Sequence, residues 1–130
     1  RLGLAGRTIF FDARHEEMPD YINAADIVVL PSVTVGNIRE QYGRVIPEAM
    51  ACGKIVVGST CGALPELIDG CGYIVPEGNV MALAEQLRTL LHTPNENLEE
   101  TRKKAIQRAK TQLSIGRQAQ IIAQTLLEEN

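Results

Sequence analysis

The chain has 130 residues, the size of one domain, and an apolar share of 45%, ordinary for a folded water-facing chain. Its net charge of −3, with both signs mixed along the chain, argues against a nucleic-acid partner, which calls for a basic patch. The apolar runs are too short to span a bilayer, and three cysteines about ten residues apart fit neither a zinc site nor a disulfide framework. A reduced, cytoplasmic protein is the simpler inference.

The chain opens without Met, in mid-pattern at Arg1-Leu2-Gly3-Leu4, and reads as a fragment. Thr8-Ile9-Phe10-Phe11 has the β-branched and aromatic content of a buried strand. The loop Asp12-Ala13-Arg14-His15 follows, and Pro19 marks the first turn of a helix reaching about Ala25. Asp26–Leu30 is the next strand, continuously apolar from Ile27 as parallel strands are, and Pro31 stops it. Ser32 to Arg39 is a loop with the turn signal Gly36-Asn37 at its tip. A helix follows Gly43, with Pro47 inside it, where it should cost one backbone bond and loosen the first turn.

Lys54–Gly58 is the third strand, Ser59–Ala63 a turn, Leu64–Ile68 a short helix and Gly72–Val75 the last strand. Asn79 caps a helix whose stripe is Val80, Leu83, Ala84, Leu87, Leu90 and Leu91. Pro94-Asn95 breaks it. A second helix runs from about Leu98 to Gln112, with Ala105, Ile106 and Ala109 inward. Arg102-Lys103-Lys104, Arg108 and Lys110 form its wet face. Ser114 caps a third helix to about Leu127, with Ala119, Ile122, Ala123 and Leu126 inward. These elements make an α/β fold with a parallel sheet and C-terminal helices.

The chemistry gathers between the second and third of these strands. Glu40 stands before the helix and Glu48 within it, with seven residues between them. On a helical wheel Val45, Ala49 and Cys52 share one apolar face, and Glu48 falls about 60° from Val45, on its edge. Two readings fit. In one, Glu48 pairs with Arg44 on a half-wet surface, in the weaker orientation. In the other, the backbone N–H groups after Gly43 face an anion and Glu48 faces hydroxyls.

Glu-x₇-Glu, followed by Ala49-Met50-Ala51-Cys52-Gly53, resembles the signature of glycosyltransferase family 4, the glycosyl transferases of group 1, retaining enzymes of the GT-B fold. His15-Glu16-Glu17-Met18-Pro19, Asn23-Ala24-Ala25-Asp26, Pro31-Ser32, Gly58-Ser59, Pro65-Glu66, Gly72-Tyr73 and Pro76-Glu77-Gly78 fall in the same family order. The resemblance covers about residues 8 to 92. Two departures stand out: Pro47 itself, and Gly62-Ala63 where the family commonly has two glycines, which weakens the case for a close backbone approach there.

The resemblance implies a Rossmann-like three-layer domain, part of a GT-B C-terminal domain, over residues 1–92, with a helical extension over 93–130. It implies that Glu48 holds the ribose hydroxyls of a nucleotide diphospho-sugar, with Arg44, Val45, Arg14 and His15 on the nucleotide side. Glu40, Gln41, Tyr42 and Gly43 fall to the donor sugar, and Ser32 to the mouth of the cleft. Glu40 is also the one catalytic candidate, although an internal-return mechanism needs no protein nucleophile, so no catalytic role is assigned. No metal or other cofactor is implied. The diphosphate clamp and the N-terminal acceptor domain would precede residue 1, so residues 1–130 alone should not transfer sugar. The implied parent works in the cytoplasm, at the inner face of the membrane if peripherally bound. Two alternatives stay open: a nucleotide-sugar-binding module without catalysis, and a sugar-nucleotide epimerase of the same fold. In relatives two strands separate the counterpart of Thr8–Phe11 from that of Asp26–Leu30; here the segment should pair directly with Asp26–Leu30 or seek another chain.

Overall fold

The computed structural model describes residues 3–128, and side chains as far as residue 124. After a short 3-10 turn at His15–Glu17 come α1 (Met18–Ala24), β1 (Ile27–Leu30), α2 (Val45–Ala51), β2 (Ile55–Ser59), α3 (Leu64–Ile68), β3 (Tyr73–Val75), α4 (Val80–His92), α5 (Asn95–Thr111) and α6 (Ile115–Glu128). The three strands form one parallel sheet in the order β1-β2-β3. Ile27 lies opposite Ile55, and Val57 opposite Tyr73. All of β2 is buried, as a central strand covered on both faces must be.

Alternation along the strands sorts the core into two layers. Val56 points to one face, where Ile46, Ala49 and Met50 of α2 pack with Leu64, Leu67 and Ile68 of α3. Ile55 and Val57 point to the other, where they meet Leu90 of α4 and Leu98 of α5. Helix α5 joins both layers, because Ala105 and Ala109 pack in the α2–α3 layer. Arg108 ties it down: Nε donates to the Leu67 carbonyl at 2.9 Å, and Nη2 to the Glu66 carbonyl at 2.7 Å. Its Nη1 reaches Asp69 at 2.9 Å. These are the carbonyls that the end of α3 leaves unpaired within the helix. Lys54 does the same for α1, its ammonium donating to the Asn23 carbonyl at 2.8 Å.

Several sequence expectations change. Thr8–Phe11 is not a strand and does not pair with β1; it is irregular, Phe10 is 93% exposed, and only the Phe11 ring stacks, on Tyr21 at 4.2 Å. Apolar content favours extended backbone, but a ladder needs a partner in register, and the His15–Ala24 link brings the chain to β1 without laying this segment along it. In α4 the buried stripe is Leu83, Leu87 and Leu90 with Ala82, whereas Val80, Ala84 and Leu91 face outward, because the helix meets the sheet on a narrower arc than the wheel allowed. Helix α5 begins at Asn95, with Pro94 as its N-cap residue, so the proline opens a helix as well as closing one. Ala119, Ile122 and Ala123 of α6 are exposed, and Ile115 is 89% exposed, since among the described residues no neighbouring element covers them; Leu126 lies outside the described side chains.

Among the described residues no helix is long and apolar enough to cross a membrane.

Candidate nucleotide-sugar site

Three loops meet at the carboxyl ends of the strands, where parallel sheets bind ligands. The first runs from Pro31 to Arg44. At its root the Ser59 hydroxyl of β2 donates to the Ser32 carbonyl, and the Ser32 hydroxyl donates to Glu40 Oε2 at 3.1 Å. Glu40 Oε1 accepts the Gly43 N–H at 3.0 Å. The Glu40 backbone is held as well: its N–H donates to the Cys61 sulfur at 3.5 Å, and its carbonyl accepts the Ala63 N–H at 3.1 Å. Glu40 is therefore fixed at four points, while each carboxylate oxygen keeps a second lone pair.

Two glycines make this geometry possible. Gly43, at φ +62°, is buried where a Cβ would lie 2.7 Å from Leu64 Cδ2. At Gly62, φ +57°, a Cβ would lie 1.9 Å from the Glu40 carbonyl oxygen. A close backbone approach is thus present at Gly62-Ala63, although Ala63 stands where a second glycine was expected.

Farther out, Val35 and Ile38 bridge across Gly36-Asn37. The Thr34 N–H donates to a Glu77 carboxylate oxygen, and its hydroxyl lies 3.7 Å from the Cys61 sulfur. The Glu77 N–H donates to the Thr60 hydroxyl at 2.9 Å. The Thr34 N–H, and after it the Thr34 hydroxyl, holds the Glu77 carboxyl below its ordinary value.

Helix α2 carries Glu48, half-buried at the edge of the apolar face as the wheel required. Among the described residues Glu48 has no hydrogen bond from its side chain and no ion pair; Arg44 is exposed and does not reach it. Pro47 costs no backbone hydrogen bond here. It is the third residue of α2, where an N–H would have no partner within the helix, and the Ile46 N–H already donates to the Gly43 carbonyl at 2.9 Å. Among the described residues the N–H groups of Tyr42, Arg44 and Val45 donate to no protein acceptor. Gln41 and Tyr42 are exposed beside them.

Among the described residues no hydrogen bond or ion pair joins Arg14 or His15 to this group. The Arg14 guanidinium donates to Glu17 at 2.7 Å and meets Glu16 at 2.8 Å, and His15 opens the exposed 3-10 turn. Arg14 holds the Glu17 carboxyl below its ordinary value. Among the described residues no group of three or more His, Cys, Asp or Glu side chains is arranged to hold a metal ion.

A family model described as "Glycosyl transferases group 1" matches residues 1–93. The chain belongs to the glycosyl transferases of group 1. It is 41% identical over 78 residues to the amylovoran biosynthesis glycosyltransferase AmsK of Erwinia amylovora, which covers 58% of this chain and 19% of AmsK. Its fold is similar to that of HepE from Anabaena, solved in complex with UDP, at TM-score 0.82 and 29% identity over 98% of this chain and 34% of that one. It is likewise similar to the C-terminal domain of the group 1 glycosyl transferase LpcC from Francisella tularensis, at TM-score 0.65 and 28% identity over 82% of this chain and 53% of that one. The chain thus has the fold of the C-terminal domain of a GT-B glycosyltransferase, and it spans less than a third of AmsK.

Within this group 1 domain, the sequence marks Ser32, Glu40, Gly43 and Glu48 as candidates but not the groups that brace Ser32 and Glu40. In the sequence Cys61 and Thr34 stand only as turn or loop residues, Ser59 as a turn residue and part of Gly58-Ser59, and Glu77 as part of Pro76-Glu77-Gly78. They come from the end of β2 and from three loops, so no local spacing connects them.

Proposed function

We propose that this chain supplies the donor-binding side of a retaining glycosyltransferase that moves a sugar from a nucleoside diphospho-sugar to an acceptor hydroxyl. The observation that carries the reading is Glu48, a half-buried carboxylate with no protein partner among the described residues, at the edge of the α2 face. Leaving such a group unpaired is costly unless water or a ligand supplies donors. A ribose diol supplies two, and a carboxylate accepts both. Glu40 differs: already braced by Ser32 and Gly43, it presents its remaining lone pairs to hydroxyls of the donor sugar. The free N–H groups of Tyr42, Arg44 and Val45 suit the diphosphate and the sugar between the two acids. HepE, solved with UDP and with UDP and glucose, makes a uridine nucleotide the first probe.

In this reading the bond from the anomeric carbon to the diphosphate breaks, and the acceptor oxygen bonds on the same face. Its proton leaves with the diphosphate. Residues 1–92 carry the donor side, and residues 93–130 brace it through α5, which packs on α2.

Calorimetry on the full-length protein with UDP, UDP-glucose and other nucleoside diphospho-sugars tests this. Saturable binding of at least one sugar nucleotide is expected, with Glu40→Gln weakening the sugar nucleotide while sparing the free diphosphate. Binding of none would overturn the reading.

A further inference from the structure

We propose that Glu77, in the loop between β3 and α4, is a positioning residue that latches the Pro31–Arg39 loop and so holds Glu40 ready for the donor sugar. The inference rests on the donor-site reading above.

The geometry is a bracket between loops far apart in sequence. The Glu77 carboxylate accepts the Thr34 N–H, while the Glu77 N–H donates to the Thr60 hydroxyl. One residue thereby joins the loop after β1 to the loop after β2. Between them lies Cys61, fully buried, whose sulfur accepts the Glu40 N–H and touches the Thr34 hydroxyl. Thr34 is two residues from Ser32, whose hydroxyl holds one oxygen of Glu40. The hydrogen-bonded path runs Glu77, Thr34, Cys61, Glu40. Beyond Thr34 the loop offers little packing of its own, since Val35 and Ile38 at its tip are exposed. A loop with few apolar contacts keeps one shape only if polar contacts hold it.

Glu77 suits this task because an ionised carboxylate makes a stronger acceptor than a neutral group. The titratable groups that bear on it are the Cys61 thiol and the Arg39 guanidinium, and both favour the ionised form. Because its pKa is lowered in the folded protein, the latch is closed at neutral pH and opens only as pH falls through that lowered value.

The test compares wild type, Glu77→Ala and Glu77→Gln in the full-length protein. Two quantities are read at neutral pH: hydrogen exchange of the Thr34 and Glu40 amides, and affinity for UDP and for UDP-glucose. In Glu77→Ala both amides should exchange about tenfold faster or more. UDP-glucose affinity should fall about five- to tenfold, with UDP little changed, because a misplaced polar group loses mainly its own contacts. Glu77→Gln keeps an acceptor oxygen at the same place and should restore most of both. Wild type should show an acid step in Thr34 amide protection below the usual carboxylate range, and Glu77→Gln should lose it. Unchanged exchange in Glu77→Ala would overturn the latch whatever the ligand does. Faster exchange with an unchanged ratio of UDP-glucose to UDP affinity would overturn the positioning role. If wild type bound neither ligand, the donor-site reading would fall and the positioning role with it, and the exchange data would show whether the latch itself stands.

Discussion

The Pro31–Arg44 rim and helix α6 both face solvent, and they are held in opposite ways. The rim has polar anchors at Ser32, Thr34, Glu40 and Gly43, each tied to another loop, to a strand or within the rim itself. Helix α6 has a polar cap, the Ser114 hydroxyl accepting the Arg117 N–H at 3.3 Å, and exposed apolar side chains at Ile115 and Ile122 that the described residues do not cover. The rim gains order without a hydrophobic core, which suits a surface that must stay open to a polar ligand. The helix has apolar surface and little to bury it against, so its order depends on less.

Breaking the rim at its tightest point should have the largest effect. Gly62→Ala would put a methyl 1.9 Å from the Glu40 carbonyl oxygen at a positive φ, and backbone cannot yield as a side chain can. Thermal unfolding should show a loss of about 3 kcal/mol or more, with sugar-nucleotide binding abolished. A stable variant that binds normally would show that the rim is looser than the hydrogen bonds imply.

The brace beneath the rim comes next. Arg108→Ala would remove the donors to the Glu66 and Leu67 carbonyls and leave the end of α3 uncapped. Denaturant unfolding should register about 2 kcal/mol. A change near zero would mean that water replaces the guanidinium at no cost.

On the other side of the comparison, Ile122→Gln in α6 should change stability by less than about 0.5 kcal/mol, because the side chain is already exposed. Hydrogen exchange should find α6 opening sooner than α4. Equal protection of the two helices would mean that α6 is held by contacts stronger than those described.

The same contrast explains what was legible in the sequence. Three strands could be read because each carries an apolar run; Pro31 follows β1 and Pro76 follows β3, whereas β2 runs on through Gly58 to Ser59. Helix α3 could be read because Pro65 opens it and Asp69-Gly70 ends it. Asn79 caps α4 as read, with its side chain accepting the Ala82 N–H at 3.0 Å. These are local signals. Thr8–Phe11 misled because its residues favour a strand while pairing is decided elsewhere in the fold. The outward turn of Val80 and Leu91 could not be read either, since a wheel gives the phase of a stripe but not the width of the surface that covers it. At the candidate site, Glu40 and Glu48 stood out through the family resemblance of Glu-x₇-Glu and the motifs around it, not through spacing alone. The bracket of Thr34, Cys61 and Glu77 was not, because it exists only once three loops are brought to one edge of the sheet.

The smallest change in stability is expected at Glu48, which has no protein partner to lose. Glu48→Gln should leave unfolding within about 0.5 kcal/mol of wild type, since the change is isosteric and half-exposed. Its effect on the ligand is the most direct test of the donor site. Calorimetry on the full-length protein should show UDP affinity lower by roughly 1–3 kcal/mol, the worth of charge-assisted hydrogen bonds to a diol. UDP lacking the ribose 2′- or 3′-hydroxyl should bind wild type more weakly, yet lose little further in the mutant, because the contacts removed are the same ones. Equal UDP affinity for wild type and Glu48→Gln would contradict the site and leave Glu48 a surface acid.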